Sequence, residues 1–249
     1  MKKILLFVLT VLCATVFADV VNADLQLELK SRRISKGKVS NPDPVGLFDF
    51  KLSYAGLYAG VFGINDLTEY NKDKDIGRYD FERYEYRIGY AGEIEGVMKY
   101  DFGYLHTDYV DDMDKPGDPR HELYLKLTAK TFLSPGVKFN YDTQHEYFYA
   151  NPFIKHDVKL DEKLTLKNEL NLYWYNRKQM KHEWKIDRGA FTCLYFKTYL
   201  RYKYNSHVSF GPLMEVSYAL DRSVREAWLE SSKNNAMNFL FGVKMDMSF

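Results

Sequence analysis

Six histidines and a dense set of carboxylates and ammonium groups are the residues of this chain able to do chemistry. His207-Val208-Ser209 sets an imidazole and a hydroxyl two residues apart, on one face of a strand, as the start of a base–nucleophile pair. No third group to orient the imidazole follows from the sequence, and the pair falls at a short turn. It is read as a strand-end His and Ser, and no catalytic residue is assigned. His145-Glu146 and the acidic run Asp108, Asp111, Asp112, Asp114 and Asp118 offer ligands for a cation. Calcium needs roughly six to eight convergent oxygens, and the run lacks the spacing of an EF-hand loop. A solvated polar loop is the reading adopted, and neither a metal nor a cofactor is expected. No glycine-rich phosphate loop, HExxH or CxxC occurs.

The remaining charges recur at every second residue. The basic positions of that phase are Lys30, Arg32, Lys51, Arg87, Lys99, Lys126, Lys130, Lys138, Lys159, Lys167, Lys197, Arg201, Lys203 and Lys244. The acidic ones are Glu28, Asp49, Glu85, Asp101, Glu122, Asp142, Asp157, Glu169, Glu215 and Asp246. Between them lie apolar residues of the opposite phase. Leu164, Leu166, Leu170, Leu172 and Trp174 alternate with Thr165, Lys167, Glu169, Asn171 and Tyr173. The same split places Tyr84, Tyr86, Ile88 and Tyr90 against Glu85 and Arg87, and Val137, Phe139 and Tyr141 against Lys138, Asn140 and Asp142. One face is greasy and the other suits a wet interior, the period-2 pattern of a strand between lipid and a polar lumen.

Strands are expected near 24–34, 46–54, 57–64, 82–91, 96–109, 121–132, 136–147, 153–160, 163–176, 190–204, 207–219 and 236–249. Short links (Ala55-Gly56; Gly92 to Glu95; Leu133-Ser134-Pro135; Asp161-Glu162; Asn205-Ser206) alternate with longer polar ones (35–45, 65–81, 110–120, 148–152, 177–189, 220–235). That rhythm is the one of periplasmic turns and extracellular loops, with both termini periplasmic, and a Greek-key sandwich has no reason to keep it. The expected fold is all-β, a transmembrane antiparallel up-and-down barrel of about twelve strands. The last strand sets Met237, Phe239, Phe241, Val243, Met245, Met247 and the terminal Phe249 in one phase. A final strand ending on Phe resembles the assembly signal of bacterial outer-membrane proteins, so Phe249 is its candidate carrier and the barrel-assembly machinery an expected partner.

The first residues agree. Lys2 and Lys3 precede an apolar run from Ile4 to Val16 and then small residues, the layout of a secretory signal peptide. Cleavage fits after Ala18 or after Ala23, with slight preference for the second because alternation begins directly after it. Residues 1–23 are thus read as leader and 24–249 as barrel. The run is short of the roughly 20 apolar residues that span a bilayer. Cys13 lies inside it, leaving Cys193 alone and excluding an intrachain disulfide. A net charge of +1 shows no basic face for nucleic acid, and a mean hydropathy of -0.43 excludes a helical membrane protein. Aromatics make up 16% of the chain, high for a soluble domain and expected for a barrel in lipid.

Particular residues also carry a family likeness. Arg32-Arg33-Ile34-Ser35 follows the first strand, Gly56-Leu57-Tyr58-Ala59-Gly60-Val61-Phe62 forms a hairpin with Asn65 after it, and Glu85 to Gly92, Asp101-Phe102-Gly103-Tyr104 through Tyr109 and Glu122-Leu123-Tyr124 follow. In these the first half of the chain resembles the Gcw-type conserved hypothetical family of bacterial outer-membrane proteins. The family pattern has Gly where this chain has Arg33. The resemblance implies an outer-membrane barrel of unassigned function and supplies no catalytic residue.

Two functions from different classes follow. The first is a small-solute channel in a Gram-negative outer membrane, with a mixed, mildly cationic lumen. The second is a non-conducting surface barrel whose loops, such as 65–81 and 177–189, bind a partner; its inward charges would be cross-strand ion pairs that close the lumen. A lipid-hydrolysing barrel is the weakest option.

Overall fold

In the computed structural model, residues 21–68, 81–109, 119–231 and 234–249 are described. Residues 1–20 of the expected leader, most of the 65–81 loop, and Asp111, Asp112, Asp114 and Asp118 lie outside them. Fourteen strands occur among the described residues: β1 (Asn22–Lys30), β2 (Arg33–Ser35), β3 (Lys38–Asn41), β4 (Val45–Tyr54), β5 (Leu57–Asp66), β6 (Phe81–Ile94), β7 (Met98–Tyr109), β8 (Arg120–Ala129), β9 (Gly136–Asp142), β10 (Phe148–Lys159), β11 (Leu164–Tyr175), β12 (Ala190–Lys203), β13 (Val208–Ala219) and β14 (Met237–Ser248). Twelve of them close a barrel in which each strand pairs antiparallel with its chain neighbours. β1 is the closing piece, pairing with β14 on one side (Leu27 opposite Met245) and with β4 on the other (Leu27 opposite Phe48). The ladder reaches the last residue, for the amides of Ala23 and Phe249 each donate to the other's carbonyl, at 3.0 and 2.9 Å. Ala23, the later of the two candidate cleavage residues, therefore already sits in β1.

The apolar phase faces outward. Ile88 is 61% exposed and Phe241 62%, and Phe102, Leu123, Phe210 and Val243 lie on the same exterior. Such a surface is stable only against hydrocarbon, and a closed ladder leaves no unpaired edge there. Short turns gather at the end of the barrel holding Asn22 and Phe249, and longer connections at the other. Ala55 and Gly56 make the tightest turn, with φ of 48° and 88°, the two left-handed residues of a type I′ hairpin. A Cβ on Gly56 would lie 2.7 Å from the carbonyl oxygen of Ala91, so close approach also requires glycine there.

The structure corrects three expectations. First, the strand expected over 24–34 ends at Lys30, and the link expected over 35–45 is not a polar surface loop. It holds the separate hairpin β2–β3, folded into the barrel. Ile34 and Val39 cannot be left in water, and they bury against the inward side chains of Tyr195, Tyr199, Leu213 and Leu240. The left-handed positions of this hairpin are Lys36 and Gly37, so Arg33 takes its place in β2 without the glycine of the family pattern.

Second, 148–152 is not a loop but the start of β10, and the β9–β10 link is only 143–147. Asp142 closes it by accepting the amides of Gln144 (2.9 Å) and His145 (3.1 Å). Pro152 lies inside the strand although it has no N–H for the ladder. The Asn151 side-chain amide supplies the missing donor, reaching the Leu172 carbonyl on β11 at 3.2 Å.

Third, the links 177–189 and 220–235 contain helices α1 (Arg177–Trp184) and α2 (Arg222–Leu229). Asn176 caps α1 by accepting the Gln179 amide, and Asp221 caps α2 by accepting those of Ser223 and Val224. Met180, Val224 and Trp228 then bury against Tyr149, Tyr175, Cys193 and Ala219, roofing one side of the long-loop end. Burial pushes the Asp221 carboxyl up, but Arg188 and the two capped amides outweigh it and hold it below its usual range.

A test of the inside–outside assignment follows. Leu170, on the outward phase of β11, replaced by Arg should lose about 2–4 kcal/mol if it sits near the bilayer midplane. Lys167→Arg, on the inward phase of the same strand, should leave stability nearly unchanged. Urea unfolding of the protein folded into lipid vesicles measures both; equal losses would show that the phase is misassigned.

A candidate path through the barrel

Inward side chains leave substantial space. A middle cavity of about 660 Å³ is walled by β1, β4–β6 and β9–β14 and by the hairpin residues Arg33, Ile34, Ser35 and Lys36. Towards the short-turn end lies a cavity of about 650 Å³, reached by Asp24, Lys51, Arg201 and Asp246. Towards the long-loop end lies one of about 630 Å³, bounded by Lys38, Tyr109, Arg120 and Glu183. Glu85 and Lys138 line all three, so the cavities adjoin one another along the barrel. A fourth space of about 730 Å³ at the short-turn rim shares Asp101 and Lys126 with its neighbour.

Most of the charged positions singled out by phase line these spaces. Lys30, Asp49, Glu85, Arg87, Lys138, Lys167, Glu169, Lys197, Glu215 and Lys244 face the middle cavity. Lys51, Asp101, Lys126, Arg201 and Asp246 face the next, and Glu122 the long-loop one. Lys99 and Lys130 sit at the short-turn rim. Arg32, Asp142, Lys159 and Lys203 line none of the four: Arg32 lies in the bend between β1 and β2, Asp142 is buried in its turn, with His145 at 3.0 Å, and Lys159 and Lys203 end β10 and β12. The His207–Ser209 pair does not form. His207 Nδ1 meets the Ser248 carbonyl at 2.8 Å, while Ser209 Oγ accepts from Arg201 at 2.9 Å.

Some of the wall is neutralised. Lys30 Nζ lies 2.8 Å from both Glu28 and Glu215, and Tyr195 donates its hydroxyl to the same Glu215. Lys155 meets Glu169 at 2.8 Å and Lys51 meets Asp24 at 3.0 Å; Arg87 pairs with Asp49, and Arg83 with Glu85. All but Lys30–Glu28 and Arg83–Glu85, which lie within one strand, are cross-strand pairs, and the cavities persist beside them. Four lysines are different. Among the described residues no carboxylate lies within 4.0 Å of Lys36, Lys126, Lys138 or Lys197, and each instead lies over an aromatic ring. Lys36 is 3.9 Å from the centre of Tyr149, Lys197 4.9 Å from Tyr195, Lys138 5.1 Å from Tyr124 and Lys126 5.6 Å from Phe153. A ring face holds the ammonium without cancelling its charge, so these four lysines keep their charge without a carboxylate in direct contact. Burial pushes the Lys36 ammonium down, and Glu122 pulls it part of the way back.

The inward aromatics are the lining that charge alone does not reveal. Tyr195 and Tyr199 have the parity of Lys197 in β12, so strict phase would have found them. Arg33 and Lys36 had no such signal, since they come from a link rather than a wall strand.

No family model matches the chain, and no curated protein does. Among solved structures it is similar to the KdgM porin, with 12% identity, 92% of this chain and 99% of that chain covered, and a TM-score of 0.52. It is also similar to the NanC porin, with 11% identity, 90% and 98% covered, and a TM-score of 0.53. The KdgM porin solved in complex with disordered oligogalacturonate aligns at 12% identity over 92% and 99%, with a TM-score of 0.51. The class is thereby defined: this is a transmembrane β-barrel of the porin fold.

The paired and unpaired lysines should separate in stability measurements. Lys30→Met removes the nearest cation from Glu28 and Glu215, leaving Glu28 to Lys244 and Glu215 to the Tyr195 hydroxyl, and should cost about 1.5–3 kcal/mol, the range for hydrogen bonds to charged groups. Lys126→Met strands no acid and should be close to neutral. Denaturant unfolding in vesicles reads both, and equal losses would remove the distinction.

Proposed function

We propose that this protein is an outer-membrane channel for small solutes with a preference for anionic ones, its short turns and both termini periplasmic. The carrying observation is the set of cavities inside the barrel, towards the short-turn end, in the middle and towards the long-loop end, that share Glu85 and Lys138. Twelve strands give a bore between the filled eight-stranded barrels and the wide sixteen-stranded porins, suited to solutes of a few rings rather than to large ones. Uncompensated Lys126, Lys138 and Lys197 in a low-dielectric tube attract anions, while the neutralised pairs bias neither sign. The adjoining rings suit a solute with an apolar face as well as a carboxylate. One barrel of this fold was solved with oligogalacturonate, a carboxylate-bearing sugar chain, and such a solute fits this lining.

Planar-bilayer recording tests the reading. Purified barrels should conduct, and in a salt gradient their reversal potential should report anion preference. Replacing Lys126, Lys138 and Lys197 by Glu should move it towards cations. Folded protein that never conducts would sink the channel reading; conduction with an unmoved reversal potential would sink the role of these lysines.

A further inference from the structure

The hairpin β2–β3 is the only stretch of a long connection that supplies side chains to the middle cavity among the described residues. Arg33, Ser35 and Lys36 line both the middle and the long-loop cavities. The opposite side of the same junction is made by Arg83, Glu85, Lys138 and Tyr149, which also line both. The hairpin and that wall approach one another where the two cavities adjoin, with Lys36 3.9 Å from the Tyr149 ring centre.

The hairpin is anchored from behind. Val39 and Ile34 are 1% and 7% exposed on the wall of β12–β14. Asn234 Oδ1 accepts the Val39 amide at 2.7 Å, Ser217 donates its hydroxyl to the Gly37 carbonyl at 2.6 Å, and Cys193 donates its thiol to the Lys36 carbonyl at 3.2 Å. At the other end Arg33 meets Glu82 at 3.9 Å, and Asn41 bonds the same carboxylate. The tip packs so closely on β12 that a Cβ at Gly37 would overlap the Cys193 sulfur, at 2.1 Å. Freeing it would expose two apolar side chains and unpair buried backbone groups, each an unfavourable change. Apart from the contacts of Arg33 and Asn41 with Glu82, these anchors use backbone atoms and the apolar face, and Arg33 and Lys36 line both cavities.

We infer that this hairpin is the selectivity filter of the channel, a fixed constriction rather than a mobile gate, with Arg33 and Lys36 setting its charge for anionic solutes. The inference rests on the channel reading above. It differs in placing selection at an inserted loop rather than along the barrel wall alone.

Cys193 supplies a reporter independent of conduction, because its thiol is 0% exposed beneath the hairpin tip. In a Cys13→Ser background it is the sole thiol, and a water-soluble thiosulfonate should label it slowly in folded barrels. Ile34→Asp with Val39→Asp should undock the hairpin, speed labelling, raise single-channel conductance and weaken anion preference. Lys36→Glu keeps every backbone anchor; it should leave Cys193 protected while shifting the reversal potential towards cations. If the double variant does not fold, Lys36→Glu decides alone. Wild-type labelling as fast as in the undocked variant overturns the inference, as does an unchanged reversal potential in Lys36→Glu barrels that conduct. Undocked barrels with wild-type conductance and selectivity would overturn the filter and leave the channel standing. Conduction only after undocking would show a plug instead of a filter, and no conduction in either form would remove the channel and the filter with it.

Discussion

Closure of the backbone ladder is the constraint from which the rest of this structure follows. In hydrocarbon each unpaired amide or carbonyl costs several kcal/mol, so a sheet can cross only when its first strand meets its last. β1 meets this by pairing on both sides, with β14 and β4. Closure then dictates the faces. Since side chains alternate along each strand, a barrel with an apolar exterior has its other half pointing into one enclosed space. Polar residues gathered there cannot all be hydrated as on an open surface, and Lys30 between Glu28 and Glu215 shows one resolution.

A second resolution is to hold charge without neutralising it. Rings beneath Lys36, Lys126, Lys138 and Lys197 stabilise an ammonium through their quadrupole while presenting no opposing charge to a passing ion. The inward tyrosines therefore act both as filling, with Tyr195 and Tyr199 forming the bed of the hairpin, and as supports for the lysines beside them. A barrel of this size has more bore than its wall side chains fill, and chain from the loops takes up part of it. The hairpin enters the bore and the helices α1 and α2 roof one side, each burying a few apolar residues that an extended polar loop would have left in water.

How far the sequence carries can be seen in single elements. The alternation in β11, from Leu164 to Tyr175, was legible because lipid and lumen impose opposite demands on successive residues, but charged residues such as Arg83, Arg120 and Lys155 also line the cavities without having been singled out by phase. Pro152 misled, since a proline argues against a strand until Asn151 is seen to replace its missing donor. The helices were hidden because eight residues carry too little periodicity, and their stability comes from packing on the wall.

By itself, then, the sequence determined the closed barrel, its approximate strand number, which phase faces lipid and where the turns fall. All of these are local consequences of a two-residue period and of turn chemistry. Only the tertiary structure decided what the bore contains. Whether Lys30 is paired and Lys197 is not depends on which strand lies opposite at which register. Whether residues 31–44 stand above the rim or enter the lumen depends on Tyr195, Tyr199, Leu213 and Leu240, more than 150 positions later, converging into a surface for Ile34 and Val39. No pattern within the hairpin encodes that surface, because it exists only once the barrel has closed.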